Sequence, residues 1–155
     1  MPLRRPRRLR AFEYRGRYRY FVTCCVHPRR PVFVDEARVW CVRAEILRTC
    51  TDRKFELIAA IYMPDHLHLL VQGASERALF TPFMTLLRQR CAIAFRRAYR
   101  ATLWQDGYYE RVLRREDDTV RVVEYMAGNP VRAGLVDCAD AYPYLWSCVG
   151  VGRPM

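Results

Sequence analysis

The stretch Ile61-Tyr62-Met63-Pro64-Asp65-His66-Leu67-His68-Leu69-Leu70-Val71 restricts the fold of this chain more than any other. It ends one apolar run, turns at Pro-Asp, and begins a second run with two histidines at spacing two. Side chains two apart on a strand share a face. His66 and His68 are therefore expected side by side, with Leu67, Leu69 and Val71 on the opposite face in a core. The short turn implies an antiparallel hairpin of residues 55–63 and 66–72. Two same-face imidazoles are half of a metal site, and the rest of the chain is read for a third ligand, a nucleophile and a substrate surface.

At 155 residues one domain with a real core is expected. The composition is 52% hydrophobic and 28% charged, which excludes a disordered chain, but the net charge is +11. Nearly all the positive charge is arginine, whose planar fork of donors suits phosphate. A polyanion partner follows, nucleic acid before anionic membrane. The seven cysteines form no CxxC pair, and with no secretory signal this implies reduced thiols in a cytosol. No apolar run approaches the roughly 20 residues of a membrane span, so a soluble, cytoplasmic protein is expected.

Residues 1–19 carry eight arginines against one acid, Glu13, and read as a flexible basic arm before a single domain of residues 20–150. A first strand is expected over 18–26. His27 follows it in a proline-rich loop and reads as a surface histidine. Asp35 caps a helix over 36–50 with Val39, Ala44, Ile46 and Leu47 inward. Thr81-Pro82 reads as the cap and first position of a helix to about 99, with Phe83, Leu87, Cys91, Ala94 and Phe95 as its apolar stripe. A short strand over 108–113 precedes a helix over 120–128, capped at 117–119 and stopped by Asn129-Pro130. The tail of 131–147 packs back on the sheet. This order predicts an α+β fold, an antiparallel sheet with helices mainly on one face, related to the ferredoxin-like arrangement.

Tyr125 and Asn129 are four apart and share a helix face. A positioned, metal-assisted phenolate can attack phosphorus and is also a workable leaving group. Asn129 offers an amide oxygen as a third ligand beside two imidazoles, leaving positions open for a phosphate oxygen.

On these blocks, with Leu103-Trp104-Gln105, Tyr109-Glu110-Arg111 and the run from Glu124 through Asn129-Pro130-Val131-Arg132-Ala133-Gly134-Leu135-Val136, the chain resembles the single-tyrosine HUH transposases of insertion sequences. It is most similar to their REP-associated branch, over about residues 12–147. The resemblance implies an HUH endonuclease fold and a divalent ion, Mg²⁺ or Mn²⁺, on His66, His68 and Asn129. It also implies Tyr125 as the nucleophile that leaves a 5′-phosphotyrosine on single-stranded DNA, and substrates that are hairpin-forming palindromic repeats. Asp65 stands where many relatives have asparagine and is a candidate partner behind the ligands. Arg4, Arg5, Arg7, Arg8, Arg10, Arg15 and Arg17 of the arm, and Arg88 and Arg97 of the helix, are candidate DNA contacts. Tyr108 and Tyr109 are candidate stacking surfaces for unpaired bases. A monomer is favoured over a dimer. Two other readings stay open: a catalytically silent module binding structured repeats, and an HxH hydrolase of small phosphate esters in which Tyr125 is structural.

Overall fold

A computed structural model describes residues 11–114 and 117–155. The arginines at 4, 5, 7, 8 and 10, expected in the basic arm, lie outside the described residues. β1 (Arg19–Cys25) is followed by α1 (Glu36–Arg53), β2 (Phe55–Met63), β3 (His66–Gly73), α2 (Phe80–Tyr99), β4 (Tyr109–Val112), α3 (Thr119–Ala127), α4 (Asn129–Arg132) and β5 (Leu145–Ser147). The strands form one sheet in the order β4-β1-β3-β2-β5, each neighbouring pair antiparallel. The first four strands keep the ferredoxin-like order, as expected. The fifth was foreseen only as packed tail.

Strand alternation divides the molecule. Tyr20, Val22, Leu67, Leu69 and Val71 point to the face covered by α1 and α2, where they meet Val42, Ile46, Phe83, Leu87 and Phe95. Ile58, Ile61 and Leu70 point the other way, against Val123, Met126 and Ala127 of α3 and Leu145. Burying each large apolar side chain contributes ~1.5–3 kcal/mol. The α1/α2 side therefore carries the larger share of the hydrophobic stabilisation, and the other face is left partly open to polar groups.

Several local expectations are corrected. α1 is capped as foreseen, with Asp35 Oδ1 accepting from the Arg38 amide at 2.8 Å. Its inward face, however, is Val39, Val42, Arg43 and Ile46, while Ala44 is exposed. α2 begins at Phe80, with Leu79 as an N-cap that makes no side-chain bond. Thr81 is thus not the cap, and Pro82 sits within the first turn, where a missing amide hydrogen costs nothing. Asn129-Pro130 does not end the helical path. Gly128 keeps a right-handed conformation (φ −72°, ψ −15°), and Asn129 opens the short α4 with Pro130 in its first turn.

The described part of the expected arm is docked. Phe12 and Tyr14 pack on the main core, Phe80 N donates to Tyr14 O at 3.0 Å, and Gly16 N donates to Ala78 O at 2.9 Å. Gly73 is required here, because a Cβ on it would lie 1.9 Å from Gly16 O. No described helix is long and apolar enough to cross a membrane.

Candidate active site

The open face of the sheet is organised by the register of β1 on β3. Thr23 lies opposite His68, Cys25 opposite His66, and Phe21 opposite Leu70. The two imidazoles sit edge to face, with ring centroids 4.7 Å apart. Asp65 Oδ1 lies 2.7 Å from His66 Nδ1, and Asp65 Oδ2 accepts from Arg29 Nε and Nη2 at 2.9 and 2.8 Å. Burial alone would raise the Asp65 pKa, but the His66 hydrogen bond and the Arg29 guanidinium outweigh it and hold the carboxyl below its ordinary value. Thr23 Oγ1 meets His68 Nδ1 at 2.8 Å. Both Nδ1 atoms are thereby engaged, so Nε2 is the ring nitrogen left for a ligand on each histidine.

Burial, reinforced by the neighbouring charges of His66 and Arg132, pushes His68 down to about 3. It is therefore a neutral imidazole at physiological pH, the form that ligates a metal. Among the described residues no cluster of three or more His, Cys, Asp or Glu side chains is placed to hold an ion. The expected third ligand, the Asn129 amide oxygen, is a donor type that suits a hard divalent cation. Two imidazoles, each held at Nδ1, and one amide oxygen fit such an ion.

α3 brings the tyrosine to this face. Val123, Met126 and Ala127 form its buried stripe, and Tyr125 falls off that stripe at 59% exposure. Its ring meets Phe21 edge to face with centroids 6.5 Å apart, and Phe21 in turn stacks on His68 at 5.2 Å. The start of α3 is fastened by Arg19, which donates to the carbonyls of Asp117 and Arg114 at 3.0 and 2.9 Å and to the Thr119 hydroxyl. Arg132 closes the group. It donates to Tyr125 O at 2.8 Å and to Asn129 Oδ1, and its guanidinium lies 4.6 Å from the Tyr125 ring centroid. A cleft of about 530 Å³ opens beside Tyr125, lined by Phe21, Arg111, Arg121 and Val122 with Asp117 and Asp118.

His66, His68, Tyr125, Asn129 and Asp65 are thus gathered on one side of the sheet. Arg88 and Arg97 are not, because α2 covers the opposite face. Arg88 instead braces the segment after α2. It donates to the Gln105 carbonyl, lies over the Tyr108 ring at 5.8 Å, and its own carbonyl accepts from Trp104 Nε1 at 3.2 Å. Tyr108 packs on that side against Phe80, whereas Tyr109 pairs with Thr23 and so belongs to the histidine face. Arg15 and Arg17 both engage Glu76 at the sheet's end. Phe21, Thr23, Arg19 and Arg132 were not foreseen. Thr23 had a signal, as a polar residue alternating with Val22 and Cys24, and so did Arg132, one helical turn after Asn129.

The family model described as "Transposase IS200 like" matches residues 15–129. A Haemophilus influenzae protein named "Putative REP-associated tyrosine transposase" is 28% identical over 136 residues, covering 81% of this chain and 77% of its own. The REP-associated tyrosine transposase of Escherichia coli K12 is 24% identical over 140 residues, covering 85% and 80%. A solved structure of a REP-associated tyrosine transposase bound to a REP hairpin superposes with a TM-score of 0.74 at 23% identity. It covers 90% of this chain and 82% of that one.

Proposed function

The chain belongs to the IS200-like transposase family, and from that membership we propose that it is a metal-dependent single-stranded DNA endonuclease and strand transferase acting through Tyr125. The family is one of DNA-cleaving transposases, so the reading concerns how this chain cuts and what it cuts. One observation supports it most: exposed Tyr125 stands one aromatic ring away from His68, across Phe21, on the face that holds both histidines.

His66 and His68 would hold the ion through Nε2, with Asn129 as third ligand, and Asp65 and Thr23 would fix the rings. The ion, Mg²⁺ or Mn²⁺, supplies Lewis-acid polarisation of a phosphate oxygen. Tyr125 Oη forms the new bond to phosphorus as the bond from phosphorus to the 3′-oxygen breaks. The phenol's proton passes to the leaving 3′-oxygen through solvent. One phosphoester replaces another, so the 3′-hydroxyl can attack the 5′-phosphotyrosine and rejoin the strand without another energy source.

The substrate we infer is hairpin-forming palindromic repeat DNA, supported by the hairpin bound to the structural neighbour and by the arginine-rich segment of residues 4–19. We propose that this segment tracks phosphates and that the chain works as a monomer. Incubation with single-stranded DNA from the repeats flanking its own coding sequence tests the reading. A protein–DNA adduct resistant to denaturation is expected, requiring divalent metal and falling to background in Tyr125→Phe. Cleavage that survives Tyr125→Phe overturns the tyrosine nucleophile.

A further inference from the structure

A guanidinium carries only donors, so the atom Asn129 turns toward Arg132 must be its oxygen. That leaves Asn129 Nδ2 buried with no acceptor among the described residues. The amide therefore turns its oxygen to the cationic Arg132 and strands its buried donor, an unfavourable orientation. The oxygen held in this way is the one suited to a hard cation. The same guanidinium binds the Tyr125 carbonyl and lies over the Tyr125 ring. Gly128 makes room for it, since a Cβ there would sit 2.5 Å from Arg132 Nη1.

We propose that Arg132 is a latch on the candidate site: it holds Asn129 and Tyr125 until a DNA phosphate draws the guanidinium away, freeing the amide oxygen for the metal. Arg132 is in this sense a positioning residue, acting through Asn129 and Tyr125. The inference rests on the metal-centre reading of His66, His68 and Asn129. A phosphate is a stronger partner than a neutral amide for a guanidinium, because it offers charge and a matching pair of acceptors. Binding of single-stranded DNA and of metal are then linked, each tightening the other by the same factor.

The test measures Mn²⁺ affinity calorimetrically in a Tyr125→Phe background, where no strand is cut and an aromatic ring stays beneath Arg132. Titrations run with and without a saturating oligothymidylate single strand. In that background the DNA is expected to tighten Mn²⁺ about tenfold, the scale of one charge-assisted hydrogen bond. Adding Arg132→Gln should tighten Mn²⁺ by a similar factor without DNA and reduce the further gain from DNA, leaving the part that a phosphate oxygen on the ion supplies directly. It should also lower the salt slope of oligothymidylate binding by ~0.7, one phosphate contact. Gly128→Ala keeps the charge but displaces the guanidinium, and should shift Mn²⁺ affinity in the same direction. If both variants leave the Mn²⁺ affinity of free protein unchanged, or retain the full effect of DNA, the latch is wrong. A His66→Ala variant that binds Mn²⁺ as well as its parent would instead overturn the metal centre, a separate failure.

Discussion

At the scale of single residues, the candidate site depends on groups beyond the proposed ligands and nucleophile. Thr23 and Asp65 each engage one imidazole Nδ1, and such partners fix ring orientation and ligand basicity. Thr23→Val keeps the shape of the side chain and removes its hydroxyl. Mn²⁺ titration of this variant should show an affinity roughly 10- to 100-fold weaker, with the unfolding midpoint little changed. An unchanged affinity would mean that packing against Phe21, not the hydroxyl, orients His68. The pair His66 and His68 was legible in the sequence because strand alternation is local. Thr23 showed in the sequence only as a polar residue in an apolar strand, because its partner is set by the β1–β3 register.

Among the secondary-structure elements, the position of Tyr125 follows from how α3 is held. Asp118 caps the helix through the Val120 amide at 2.9 Å, and Arg19 ties the approach to α3 to β1 from almost a hundred residues away. The caps at Asp35 and Asp118 could be read from sequence, since each is a carboxylate preceding an apolar periodic run. The start of α2 could not. Thr81-Pro82 has the residues of a cap, but Phe80 is fully buried and Phe80 N bonds Tyr14 O, so tertiary packing carries the helix two residues further back. The docking of residues 12–18 gives a sharp prediction. Gly73→Ala places a methyl against the Gly16 carbonyl and should cost about 1–3 kcal/mol. Denaturant unfolding would record that loss, and limited proteolysis should show new cleavage at residues 15 and 17. A variant as stable and as protected as its parent would contradict the close approach.

Across the molecule as a whole, the two faces of the sheet divide the work. One is a dry core under α1 and α2, and the other holds the candidate chemistry beneath α3. The cysteines report this division. Burial pushes the Cys24 and Cys50 thiols up to about 12 and Cys91 well above its ordinary value, while Cys138 and Cys148 are exposed. Thiol-reactive reagents at neutral pH should modify Cys138 and Cys148 quickly and the other three only on unfolding, as mass spectrometry would resolve. The linked stability has a definite sign. These acids have folded pKa values above the unfolded value near 9, so their contribution is complete below pH 9 and is lost as pH climbs toward about 12. Denaturation midpoints that stay flat across that alkaline window would contradict the burial.

Much of what is local or periodic in this protein could be read from its residues alone. That covers the hairpin, the same-face histidines, the order of the first seven elements, the arginine-rich charge and the resemblance that placed the chain among single-tyrosine transposases. Alternation at period two and helical spacing act within a few residues, so no fold need be known to read them. Which face each helix covers came from the folded arrangement. It put Arg88 and Arg97 on the side away from the histidines, and it brought Phe21, Thr23, Arg19 and Arg132 to the site. Those contacts join strands and helices far apart in the chain, and their geometry comes from sheet register and packing, which no short stretch of residues encodes.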